Sequence, residues 1–98
     1  MTNSFSDMRI DIFLDKSRLI KSRSIAKTAC DNGAVKVNGR IVKASSKIKV
    51  GDIIEIESVS FYKRIEVLGI PMKNLKKQEA VLLYKVLDEN KKEVFKDG

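Results

Sequence analysis

The sequence predicts an α+β domain in which two short N-terminal helices pack on a small, twisted, mostly antiparallel sheet, followed by a C-terminal helix. Three observations predict it. Apolar residues recur at helical spacing between Met8 and Cys30, an Asn38-Gly39 dipeptide separates two runs in which valines alternate with lysines, and further alternating runs cover residues 53–67.

In "MRIDIFLDKSRLI", Ile10, Phe13 and Leu14 stand at the i, i+3, i+4 spacing of one helical face, with Arg9, Lys16 and Arg18 on the others. A second short helix follows in "KSRSIAKTACDNG". There Ser22 is the N-cap, Ile25, Ala26, Ala29 and Cys30 form the apolar stripe, and Gly33 supplies a left-handed stop. Lys21 and Arg23 sit at the start of this helix, where the macrodipole is already positive. Cations there do not help the helix, but with the exposed N–H groups of a helix start they suit a phosphate. The plain alternative is that two long side chains simply extend into water.

"AVKVNGRIVK" is a hairpin closed by a type I′ turn at Asn38-Gly39. A two-residue turn fixes the register: Val37 opposes Arg40, Lys36 opposes Ile41, and Val35 opposes Val42. Val35, Val37 and Val42 then share the buried face, while Ala34, Lys36, Ile41 and Lys43 line the outer one. Turns are expected at Ser45-Ser46 and Gly51-Asp52, and strands over Ile53–Val59 and in "FYKRIEVLGI". Pro71 and the polar residues after it end the sheet region. In "LKKQEAVLLYKVLDENKKEV", Ala80, Leu83, Tyr84 and Leu87 fit i, i+3, i+4, i+7, so a helix of about three turns is expected there.

Composition narrows the function. The 98 residues suit one domain, and no apolar run approaches the ~20 residues of a membrane-spanning helix. Histidine is absent and Cys30 is the only cysteine, which removes the commonest metal ligand, the commonest general base and any disulfide framework. Cys30 reads as a small core residue, no carboxylate pair stands out, and the sequence argues against an enzyme. The net charge of +7 is confined to the first half: eleven basic residues meet four acidic ones through Lys49, and nine meet nine thereafter. That asymmetry points to a polyanionic partner. A merely solubilising charge predicts a more even spread.

The runs "RIDIFL", "SRLIKSRSIAKTAC" and "GAVKVNGRIVKASSKIKVGD" resemble the RNA-binding domain named after ribosomal protein S4, over about Arg9 to Ile56. The resemblance implies the S4-like (alpha-L) fold, with one basic surface facing structured RNA. Residues 1–8 are then an N-terminal extension, 9–70 the S4-like domain, and 71–98 a C-terminal helix with a charged tail. There is no room for a catalytic domain beside it. Two stand-alone families remain, the heat-shock RNA-binding proteins of the fifteen-kilodalton type and the RqcP type of bacterial ribosome-associated quality control. "KKQEAVLLYKVL" resembles the latter, and the longer basic tail of the former is missing.

The resemblance implies a cytoplasmic, ribosome-associated, non-catalytic factor that binds the obstructed large ribosomal subunit during C-terminal tailing of stalled chains. Its expected partners are large-subunit ribosomal RNA, peptidyl-tRNA and a NEMF-family tailing factor, with no membrane, metal or cofactor, and a monomeric state. Arg9, Arg18, Lys21, Arg23, Lys27, Lys36, Arg40 and Lys43 are the expected phosphate or base contacts, Arg9 and Arg23 foremost by resemblance. Arginine suits such work because its planar fork grips phosphate and stacks on bases. Asn38 belongs first to the turn, with RNA contact as a second role. Asp11 is expected to orient Arg9 or Arg18 through an ion pair. Phe61 and Tyr62 are expected in the core rather than stacked on bases. Two other classes stay open: a protein-interaction module docking through its C-terminal helix, and an RNA-recognition subunit of a separate enzyme.

Overall fold

A computed structural model describes residues 7–71 and 77–91. The elements run β1 (Asp7–Arg9), α1 (Ile10–Lys16), α2 (Arg23–Asp31), β2 (Val35–Val37), β3 (Arg40–Ile41), β4 (Lys47–Lys49), β5 (Ile53–Glu57), β6 (Phe61–Val67), α3 (Lys77–Ala80), a 3-10 turn (Val81–Leu83) and β7 (Tyr84–Lys91). Five strands form one antiparallel sheet in the order β3-β2-β5-β6-β7, and β1 pairs with β4 as a separate two-stranded ribbon. The fold is the α+β arrangement expected, with α1 and α2 closing over the core.

Helix α1 starts directly out of β1 and lacks a side-chain cap. Its first donors are satisfied instead by the loop before β4: Ile10 N–H donates to Ser46 O at 2.7 Å and Asp11 N–H to Ala44 O at 3.3 Å. Ile10, Phe13 and Leu14 are fully buried, as their spacing requires. In α2 the Ser22 hydroxyl accepts from Ile25 N–H at 3.2 Å, the expected N-cap. Its other end is a Schellman closure, with Gly33 at φ 77°, Gly33 N–H donating to Cys30 O and Ala34 N–H to Ala29 O. Ala26 and Cys30 face the core, whereas Ile25 of the expected apolar stripe is half exposed.

The hairpin keeps the expected register, Lys36 opposite Ile41 and Val37 opposite Arg40, with Asn38 at φ 52° and Gly39 at φ 86°. Positive φ at both central residues defines the type I′ turn. On β5 and β6, Ile54, Ile56, Ile65 and Val67 point into the core against Phe13, Leu14 and Val35. The opposite face of the sheet carries a row of alternating charge, with Lys36 in register with Glu55, Glu55 with Arg64, and Arg64 with Asp88. Such cross-strand neighbours favour the sheet and leave that face close to neutral.

The expected C-terminal helix is corrected. Among the described residues, helical structure there covers Lys77–Leu83, and Tyr84–Lys91 is the edge strand β7, paired with β6 from Val67↔Tyr84 to Phe61↔Lys91 with a bulge beside Leu87. Ala80 and Leu83 are buried, as the helical reading required. Beyond them the open edge of β6 offers a ladder of backbone hydrogen bonds that outweighs a weak helical spacing. The first part of the expected N-terminal extension, residues 1–6, and the charged tail, residues 92–98, lie outside the described residues.

Candidate nucleic-acid interface

Asp11 organises the basic surface. It points inward from α1 and is 1% exposed, a burial that a carboxylate tolerates only with strong partners. Two arginines supply them. Arg9 grips it side-on, Nε to Oδ1 at 3.2 Å and Nη2 to Oδ2 at 3.1 Å, and Arg23 reaches from the first position of α2 to place Nε 3.3 Å from Oδ2. Burial by itself pushes the Asp11 carboxyl upward. The hydrogen bonds and charges of Arg9 and Arg23 outweigh it and hold the group below its ordinary value. Arg18, the other partner considered for Asp11, instead occupies the turn after α1 at φ 66°.

The pairing leaves most of the guanidinium donors free. The Arg9 and Arg23 side chains are 40% and 53% exposed and line an open basin with Ser24 and Lys27. Around Arg9 and Lys27 the basin adjoins a second concavity, which extends between α2 and the segment from Ile41 to Ser45 and includes Lys43. One wall is therefore built from β1, α2 and the end of the hairpin, carrying Arg9, Arg23, Lys27 and Lys43. Planar donors fixed by a buried anion are pre-set to take phosphate oxygens in two places.

The remaining expected contacts lie elsewhere. Lys21 borders an apolar groove with Leu19, Ile25 and Phe61. Lys36 lines a small cleft with Glu55, Glu57 and Tyr62 on the charge-alternating face of the sheet. Arg40 is exposed on β3, next to the turn. The amide of Asn38 is engaged on both sides, Nδ2 donating to Asp52 Oδ1 at 3.1 Å and Oδ1 accepting from Ile53 N–H at 3.0 Å. Tyr62 is committed as well, donating to Glu55 at 2.7 Å, and that bond, with burial, raises its hydroxyl pKa. Phe61 packs against the core.

Asp52 does more than sit in the turn its sequence implies. Its nearly buried carboxylate accepts from Asn38 and, at 2.9 Å, from Lys49 N–H, joining the hairpin turn to the Gly51 turn. The Asn38-Gly39 and Gly51-Asp52 pairs were both visible; that they meet was not.

The S4 domain family matches residues 8–54, the span that contains most of β1, helices α1 and α2, the hairpin and the Asp52 turn. The RQC P-site tRNA stabilizing factor of Streptococcus pneumoniae is 37% identical over 86 residues, covering 88% of this chain and 97% of that protein. This chain belongs to the family of RQC P-site tRNA stabilizing factors. The Bacillus subtilis member is 39% identical over 84 residues, covering 86% of this chain and 96% of its own length. Among solved structures, the trimeric heat shock protein 15 of Vibrio cholerae superposes with a TM-score of 0.74 at 28% identity, covering 82% of this chain and 81% of that one. The solution structure of hypothetical protein HP1423 gives 0.71 at 33% identity, covering 83% and 98%. Family members thus share nearly the full length described, including the C-terminal segment beyond the S4 match.

Proposed function

We propose that this protein is a non-catalytic RNA-binding factor of the large ribosomal subunit. It holds ribosomal RNA and the P-site peptidyl-tRNA of an obstructed subunit, in the cytoplasm, while a NEMF-family factor directs C-terminal tailing of the stalled chain. The observation that carries the reading is Asp11 clamped between Arg9 and Arg23, with Lys27 and Lys43 extending the same wall. Relatives named for stabilising P-site tRNA support the choice of ligand. Binding rests on backbone contacts rather than chemistry, as expected where RNA is read mainly by shape.

Salt titration against a structured RNA tests the binding: contacts to about six phosphates give a log-log slope near −4 to −5. A flat curve overturns it. Purifying ribosomal particles through a tagged copy tests the place of action, the expected cargo being free large subunits carrying peptidyl-tRNA. The likeness to heat shock protein 15 favours one second reading, recycling of the large subunit without tailing. Co-purification of the tailing factor separates the two.

A further inference from the structure

The concavity beside the arginine clamp has a character that phosphate binding does not explain. It measures about 550 Å³, within the ~300–1,000 Å³ range of small-ligand clefts. Cations stand around it at Arg9, Lys27 and Lys43, while its wall includes Val42 and the 64%-exposed side chain of Ile41. A bare isoleucine between lysines gains nothing from a phosphate. It gives a flat aromatic ring an apolar surface to rest on.

The same concavity is lined by Asp31. This carboxylate has no ion pair or hydrogen bond among the described residues, not even with Lys27 one turn earlier. It sits at the last position of α2, in a final turn without a basic residue, where the macrodipole is negative and an anion is disfavoured. A carboxylate in the wrong place for its helix, and repulsive to the phosphates its neighbours attract, calls for a ligand that offers hydrogen-bond donors.

We infer that this concavity takes one unpaired guanine of the bound RNA. The ring lies against Ile41, and the carboxylate of Asp31 accepts from N1–H and from the N2 amino group. Guanine alone presents two adjacent donors on its Watson–Crick edge; adenine and cytosine present one amino group beside an acceptor, which a carboxylate repels. Lys27 and Lys43 hold the phosphates on either side. The assignment rests on the RNA-binding reading and adds a base preference to it.

The test is fluorescence anisotropy at fixed salt with hairpin RNAs identical except for one bulged nucleotide: guanosine, inosine, adenosine or cytidine. The guanosine bulge binds about tenfold tighter than the adenosine or cytidine bulge, and inosine, which lacks the N2 amino group, falls between. Asp31→Asn, and as a second variant Asp31→Ala, bring guanosine and adenosine within twofold while adenosine-bulge affinity is unchanged or higher, since an anion has gone. Neither change removes a native contact, so the thermal midpoint holds or rises. Equal wild-type affinity for all four bulges, or a guanosine preference that survives Asp31→Asn, overturns the inference. If affinity is then still salt-dependent and lost in Arg23→Ala, the RNA surface stands without the guanine site. A flat salt dependence overturns both.

Discussion

Arg23 Nε lies 3.3 Å from Oδ2 of Asp11, twelve residues earlier in the chain, and this bond ties the start of α2 to the buried face of α1. It sets where the guanidinium points as well as what it neutralises. On the proposed reading Arg23 grips phosphate, so Arg23→Ala lowers RNA affinity by about 1–3 kcal/mol. The salt slope becomes shallower by about one unit. Arg23→Lys keeps the charge but loses the fork, so it recovers the slope more fully than the affinity. Anisotropy titrations at three salt concentrations separate these effects; a lysine variant equal to wild type in both would show that only charge matters there.

The same carboxylate makes stability depend on pH. Asp11 titrates near 3.8 when unfolded and lower when folded, so the unfolded chain binds the proton first as pH falls. Its contribution is fully present above pH ~5 and is lost as pH drops through the folded value. Asp11→Asn therefore costs about 1–3 kcal/mol at neutral pH, a range that allows for the solvent around its half-exposed partners. The difference between variant and wild type shrinks below pH 4. Urea midpoints from pH 3 to 7 check this; a constant difference across that range would place the stabilisation outside the titration of Asp11.

How far the sequence could be read depended on the range of the interactions. The hairpin was legible to the residue, because an Asn-Gly turn carries its register with it, and α2 was legible because Ser22 and Gly33 bracket its nine residues and the Asn32 cap. The β1–β4 ribbon was not: three-residue strands leave no periodicity, and Met8 meets Ile48, forty positions further along the chain. Strand β7 was misread because Ala80, Leu83, Tyr84 and Leu87 satisfy a helical spacing equally well, and only the open edge of β6 decides between the two. Within the site, an ion pair of Asp11 with Arg9 or Arg18 was expected, and the structure forms the first. The Arg23 contact needed the packing of one helix on another, and that Arg9, Arg23, Lys27 and Lys43 line adjoining concavities needed the surface itself.

Asn38 shows how a residue on a basic hairpin can be committed to architecture. Its left-handed backbone suits asparagine or glycine, and its amide joins Asp52 to the backbone of Ile53. Asn38→Ala suffers both the backbone strain and the lost bonds, about 1–3 kcal/mol in all. Asn38→Gly relieves the strain but not the loss, so it falls between alanine and wild type. Chemical denaturation ranks the three, and RNA affinity of the folded fraction stays at the wild-type value. A fall in affinity with unchanged stability would assign the side chain to RNA instead.

Cys30 is 2% exposed on α2, beneath the concavity that holds Asp31. Burial pushes its thiol up to about 11, and the charges of Asp11 and Asp31 add to the rise. Because the thiolate is the reactive form, at pH 8 only about one thiol in a thousand is ionised. The folded protein therefore reacts slowly with iodoacetamide, while the urea-unfolded chain reacts at the rate of a free cysteine. Asp31→Asn removes one of the two charges and moves the native thiol downward, so its alkylation at pH 8 quickens without any change in the unfolded rate. A native thiol that titrated near 9 would mean that solvent reaches Cys30 through the concavity, and that the floor beneath Asp31 is open rather than packed.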